Sequence, residues 1–302
     1  MAADITTCCA GCGTAEVDDI KLKKCTCHLV KYCSVECQKN HRKQHKKECK
    51  KRMAELREEL LFRQPESTHY GDCPICFVPL SLGEDKSSLT SCCCVYICDG
   101  CGYANQMKDA HSMNEPTCPF CREAYPTSVA EADRNVKKRI EAGDRVAIRQ
   151  RGVQGAAVQD YTLAFDFLTK AATMGDFVAH YNLANMYSVG HGVETDIKKA
   201  VYHWEEAAIG GHPDARYNLG ANDAQNCKFD KSVKHWIIAA SLGHDVALGK
   251  LKEWYANGSG TVSKTDLAAA LRAHQAFVDS TKSAQREEAA HFCNVVDGSR
   301  DV

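Results

Sequence analysis

The sequence predicts a mainly α protein: two small zinc-stabilised finger modules followed by an α-helical repeat solenoid. Three observations predict it. Of nineteen cysteines in 302 residues, seventeen lie between Cys8 and Cys121, leaving only Cys227 and Cys293 beyond. Those front cysteines recur two or three residues apart, which is the spacing of tetrahedral metal ligands. The back of the chain repeats itself every 32 to 36 residues, the sign of stacked helix pairs.

Composition excludes several classes. With 38 Lys+Arg against 39 Asp+Glu, no bulk charge commits the chain to nucleic acid or an anionic membrane. Apolar residues make up 44% and are spread throughout, which argues against disorder. Met1 to Cys12 has no basic stretch leading into an apolar run. No segment approaches the roughly 18 apolar residues of a membrane span. The expected location is intracellular, cytoplasmic or nuclear, where clustered Cys and His read as zinc sites and not as a secreted disulfide scaffold.

Residues 8–50 hold the first cluster. Cys9-x2-Cys12 and Cys33-x3-Cys37 can each grip one tetrahedral ion from a tight turn, while His45 and Cys49, four apart, project from one helical face. Between them stand Cys25 and Cys27. The run Lys31-Tyr32-Cys33-Ser34-Val35-Glu36-Cys37-Gln38 with His45-Lys46-Lys47-Glu48-Cys49 resembles a MYND finger. In that family the ligand pairs interleave. The resemblance assigns Cys9, Cys12, Cys33 and Cys37 to one zinc, and Cys25, Cys27, His45 and Cys49 to the other, with His28 as a substitute for Cys25. The family's middle pair is usually Cys-x2-Cys; here it is Cys25-x-Cys27. MYND fingers dock short, often proline-containing peptides, and the family commonly has Trp where this chain has Arg42.

From Asn40 to Gln64 the sequence is basic and then amphipathic, with Met53, Leu56, Leu60 and Leu61 at helical spacing. One helix is expected here, followed by a linker, within 51–72. Pro65 ends the helix. Lys39 to Arg52 carries eight basic residues against Glu48 alone. With no aromatic residue interleaved, it reads as a solvated helix face, and nucleic acid is not the expected partner.

Residues 73–125 hold the second cluster, in four ordered groups: Cys73-Pro74-Ile75-Cys76, Cys92-Cys93-Cys94, Cys98-x2-Cys101 and Cys118-Pro119-Phe120-Cys121. The layout resembles a RING finger, in which the first and third groups share one ion and the second and fourth the other. Cys92 with Cys93 is the expected second group; Cys92 with Cys94 is also geometrically open, and His111 is a weaker candidate. If the chain is a RING-type ubiquitin ligase, the resemblance implies partner-binding roles for Ile75, Pro119 and Arg122 toward a ubiquitin-conjugating enzyme and its ubiquitin. The region Gly102 to Thr117 lacks the Trp many active RINGs carry.

The array over 127–283 repeats Lys170-Ala171-Ala172-Thr173-Met174-Gly175 as Glu206 to Gly211 and Ile238 to Gly243. Ala171, Ala207 and Ala239 would let helices approach closely, and Gly175, Gly211 and Gly243 would permit the turn after each second helix. With Gly190-His191-Gly192-Val193, Asp196, Lys199-Ala200 and Trp204, the pattern is similar to the Sel-one-like repeat, a relative of the tetratricopeptide repeat. Four repeats are counted, the first beginning near Asp144 and the fourth near His244. The third lacks the Gly-x-Gly-Val loop and the fourth keeps it loosely as Gly258-Ser259-Gly260-Thr261-Val262. Trp204, Trp236, Tyr181, Tyr217, His180, His203 and His235 recur at repeat positions and read as packing. Residues 284–302 read as a polar tail. The whole order resembles an algal family of this architecture.

About four zinc ions are therefore expected in closed, structural sites. A catalytic zinc keeps an open position beside a general base, and here every plausible ligand is consumed. The sequence has no Glu flanked by ligating His, no nucleotide-binding Gly loop and no Ser-His-Asp order. The expected function is a protein-interaction adaptor whose partners are proteins or peptides.

Overall fold

The computed structural model describes residues 8–12, 14, 16, 21–83, 86–113, 115–258 and 260–298, with side chains through Phe292. Ser259 and the side chain of Cys293 lie outside the described residues. The chain divides into two compact units, Met1–Arg63 and Gln64–Val302.

In the first unit, strands β1 (Lys23–Lys24) and β2 (Lys31–Tyr32) pair antiparallel and lead into helix α1 (Val35–Leu61). Ser34 starts α1 by accepting a hydrogen bond from the Cys37 amide at 3.2 Å, as an N-cap does. Arg52 pairs with Glu55 and Glu59 along its surface. Within α1 only His45 and Leu61 are buried, so the basic run is solvated. The small core consists of Cys9, Leu22, Cys25, Cys27 and Tyr32: without metal, thiols are most of what the finger can bury.

The second unit opens with another two-stranded ribbon, β3 (Ser87–Leu89) with β4 (Tyr96–Cys98), and helix α2 (Asp99–His111). Its core is again thiol-rich: Cys73, Leu80, Ile97, Cys98, Cys101 and Cys118.

Helix α3 (Val129–Glu141) then leads into four antiparallel pairs: α4 (Arg145–Ala157) with α5 (Tyr161–Thr173), α6 (Phe177–Val189) with α7 (Ile197–Ile209), α8 (Pro213–Gln225) with α9 (Phe229–Ser241), and α10 (Asp245–Ala256) with α11 (Lys264–Ser280). Ala171, Ala207 and Ala239 are completely buried, as close helix approach requires. Gly175, Gly211 and Gly243 are left-handed, at φ of +79°, +81° and +89°. In each turn the amide after the glycine reaches back five residues, Asp176 to Ala171, His212 to Ala207 and His244 to Ala239, which is the Schellman closure. Inside the third repeat, the turn from α8 to α9 closes in the same way without glycine: Cys227 is left-handed and exposed, and Lys228 bonds the Asp223 carbonyl. Trp204 and Trp236 are buried, and their indoles donate to Asn185 Oδ1 and the Tyr217 carbonyl.

The stretch read as a polar tail differs from that reading. It forms helix α12 (Ala284–Gly298), which packs on α2. A Cβ on Gly100 would lie 2.8 Å from the Arg286 nitrogen, so the contact is a close backbone approach needing no broad apolar face. Among the described residues no helix is long and apolar enough to cross a membrane.

Candidate metal centre

Five short turns build most of the ligand geometry. In each, an amide bonds the carbonyl five residues on: Cys9 to Thr14, Cys25 to Val30, Cys73 to Val78, Thr90 to Val95 and Cys118 to Glu123. In the four whose next residue is described, the residue after the last Cys is left-handed: His28, Phe77, Cys94 and Arg122, at φ from 53° to 66°. None is glycine, so each turn holds backbone strain that L-residues avoid. This anchor fixes the second Cys of a pair. The first can stand three residues earlier (Cys73, Cys118), two earlier (Cys25) or adjacent (Cys92).

Helix starts supply two further pairs. Cys33 and Cys37 flank the N-terminus of α1, and Cys98 and Cys101 lie in the cap and first turn of α2. Helix N-termini favour thiolates. His45 and Cys49 come from one face of α1.

Four groups result: Cys9, Cys12, Cys33 and Cys37; Cys25, Cys27, His45 and Cys49; Cys73, Cys76, Cys98 and Cys101; Cys92, Cys93, Cys118 and Cys121. Within each, the ligand atoms all lie within 4.8 Å of one another. Sulfur pairs stand 3.5 Å apart for Cys12 and Cys33, 3.7 Å for Cys25 and Cys49, 3.7 Å for Cys76 and Cys98, and 3.3 Å for Cys92 and Cys121. A tetrahedral zinc with bonds of about 2.3 Å to sulfur has an edge of about 3.8 Å, so each cage is the size for this ion. His45 Nε2 lies 3.0 Å from Cys27 Sγ.

The thiols share protons as ligands do before metal displaces them. Burial raises the Cys9 thiol, but the amides of Cys33 and Gly11 outweigh it and bring it to about 6. Cys73 falls to about 4, chiefly because Cys98 donates to it, and Cys98 is driven far up in return.

The alternatives fall elsewhere. His28 is exposed; Cys94 is buried, and burial pushes its thiol to about 11. Among the described residues neither joins a metal-sized group, and neither does His111, which is exposed with Nδ1 2.6 Å from the Met107 carbonyl. His41 takes Tyr32 as its partner at 3.0 Å. Of the ligase-type residues, Ile75 is 37% exposed, Pro119 is buried, and Arg122 donates to Asn105 Oδ1 at 2.9 Å.

Sequence reasoning missed a second polar centre, inside the Gln64–Val302 unit. His69 donates its amide to the Gly211 carbonyl at 3.1 Å, and its ring stacks on His212, which stacks on Tyr181. A cavity of about 690 Å³ opens there, lined by His69, Tyr70 and Tyr96 on one side and Arg149, Tyr181 and His212 on the other. Arg149, paired with Asp176 at 3.3 Å, also donates to the Tyr96 hydroxyl. The available signal was His212 at a cap position where the first two repeats have Asp144 and Asp176.

These features define a class: a zinc-finger protein joined to a helical-repeat array. The family patterns agree. The chain carries a MYND finger at residues 9–49 and four Sel1 repeats at 145–176, 178–212, 213–244 and 246–272. Among solved structures it is similar to a Sel1 repeat protein from Oxalobacter formigenes, at 22% identity and TM-score 0.45, over 59% of this chain and 71% of that one. It is also similar to a protective antigen present in uropathogenic Escherichia coli strains displaying an SLR fold, at 20% identity and TM-score 0.40, over 63% of this chain and 39% of that one. No curated protein matches the chain.

Proposed function

We propose that the chain is a zinc-binding adaptor: two cross-braced fingers and a repeat array that bring partner proteins or peptides together. One observation carries this reading. All sixteen ligand residues fall into four complete four-ligand groups, leaving the metal no open position for chemistry. We assign the ions to these groups: three sites of four thiolates and one of three thiolates and His45. Zinc here supplies folding energy to segments with too little apolar material to fold alone. The domain limits follow: a first finger over 8–50, a helix and linker over 51–72, a second finger over 73–125 and repeats from 127 to 283.

Native mass spectrometry tests the assignment, with four zinc ions per chain expected; fewer than four sinks it. Peptide-display selection against the zinc-loaded chain tests the adaptor role. Enriched peptides should bind through the fingers or the repeats, and selection that enriches nothing counts against it.

A second reading, a RING-type ubiquitin ligase, draws support from Ile75 and Phe120. They occupy the same place in the two Cys-Pro-x-Cys turns, and both are exposed. The experiment is discharge of ubiquitin from charged conjugating enzymes. The ligase reading requires acceleration by this protein that Ile75→Ala abolishes.

A further inference from the structure

Helix α12 brings one guanidinium to the second finger. Arg286 Nη1 donates to the Pro79 and Thr281 carbonyls, each at 2.7 Å. Its Nη2 donates to the Val78 carbonyl at 3.0 Å and lies 3.8 Å from Cys76 Sγ. Cys76 in turn stands 3.7 Å from Cys98. The helix is fixed on the other half of the same site. Gly100, one residue before Cys101, leaves no room for a Cβ against Gln285 and Arg286, and the Tyr103 and Phe292 rings meet at 5.1 Å. Thus α12 ties the turn carrying Cys73 and Cys76 to the helix start carrying Cys98 and Cys101.

Charge gives the contact a purpose. Four thiolates around one divalent ion leave a net charge of −2, and Cys73, Cys98 and Cys101 are buried. Burying uncompensated charge is costly, and a half-buried guanidinium is the matching countercharge. It also clamps the turn, donating to the Val78 carbonyl that already accepts the Cys73 amide and to the Pro79 carbonyl beside it, just after the left-handed Phe77.

We propose that Arg286 is an outer-sphere partner of the Cys73, Cys76, Cys98, Cys101 site, so that the C-terminal helix sets how firmly this one site holds its ion. The proposal rests on the ligand assignment above. Arg286 is a positioning residue, acting through the thiolates and the turn that carries them.

The test is zinc release from the four-zinc protein to a colorimetric chelator, together with cadmium-113 NMR of the cadmium-substituted protein. Arg286→Ala should release one ion of four on the order of 10-fold faster or more, the usual size of an outer-shell loss. It should also move one four-sulfur cadmium resonance, with the other three sites at parent values. Arg286→Lys, which keeps the charge and loses the fork, should fall between. Phe292→Ala loosens α12 while keeping the guanidinium, and should give a smaller change at the same site. Parent-like release and an unmoved cadmium spectrum in Arg286→Ala overturn the proposal, as does equal acceleration of all four ions. A parent protein holding fewer than four ions overturns the ligand assignment instead.

Discussion

The ring of His69 lies flat on that of His212, centroids 4.0 Å apart and planes 7° from parallel. One ring belongs to the segment entering the second finger, the other to the N-cap residue of helix α8, so this stack joins finger and repeats within their unit.

Acid should open that junction. Burial lowers His212 to about 4; Asp214, 3.4 Å from its Nδ1, opposes the shift, while His244 and Arg149 add to it. Burial and the neighbouring His212 likewise hold His69 well below its ordinary value. A base whose folded pKa is depressed binds fewer protons folded than unfolded, so stability present above pH 6.5 is lost as pH falls toward 4. From its shift to about 4, His212 alone contributes about 3 kcal/mol over that window. Thermal unfolding followed from pH 7 to pH 4 should show the loss. His212→Phe, which keeps the stack without titrating, should reduce the loss and leave the part that buried His69 supplies.

Two glycines with the same backbone should respond differently to alanine. Gly175 and Gly211 both have positive φ, which costs alanine about 1 kcal/mol. At Gly175 a Cβ meets nothing within 4 Å, whereas at Gly211 it lies 2.4 Å from the Ser67 carbonyl oxygen. Gly211→Ala should therefore cost on the order of 1 to 3 kcal/mol more in urea unfolding and expose the His69 amide to hydrogen exchange. Equal losses would show that the linker does not rest on this turn.

Chelation should separate the two architectures. The finger cores are largely thiols, whereas the repeats bury Ile148, Leu168, Leu183, Trp236 and Leu251. Excess chelator should abolish the dispersed NMR signals of the fingers while far-UV circular dichroism keeps the helical signal of the repeats. Loss of both together would mean the repeats depend on metal.

Cys92 and Cys94 should have opposite fates. Cys92→Ala should remove one zinc from the native mass spectrum, since Cys92 stands 3.3 Å from Cys121. Cys94→Ala should keep four, because Cys94 is the left-handed anchor outside the group.

The legibility of these features differs for physical reasons. The helical array could be read directly, because Ala171, Ala207 and Ala239 and the glycines after them impose a period on the sequence itself. The grouping of cysteines followed from pair order by way of resemblance. Spacing alone left Cys25 against His28 and Cys93 against Cys94 open, since the deciding quantity is the sign of φ at His28 and Cys94. Helix α12 was missed because its first turns carry small and charged residues and approach Gly100 backbone to backbone, with Phe292 meeting Tyr103 further along. The His69 contact was invisible because its essential bond is between two backbones.

Interleaving also has a polymer consequence. An ion on Cys9, Cys12, Cys33 and Cys37 closes the chain from Cys12 to Cys33, and that loop carries Cys25 and Cys27 inside it. An ion at the neighbouring group closes Cys27 to His45 across the same stretch. Whichever arrives first shortens the loop the other must close, reducing its entropy cost. The second finger is threaded the same way, with Cys92 and Cys93 between Cys76 and Cys98. Filling one site of a finger therefore makes its neighbour easier to fill, by a fraction of a kcal/mol on the order of that expected for halving a loop, while each site can still lose its own ion.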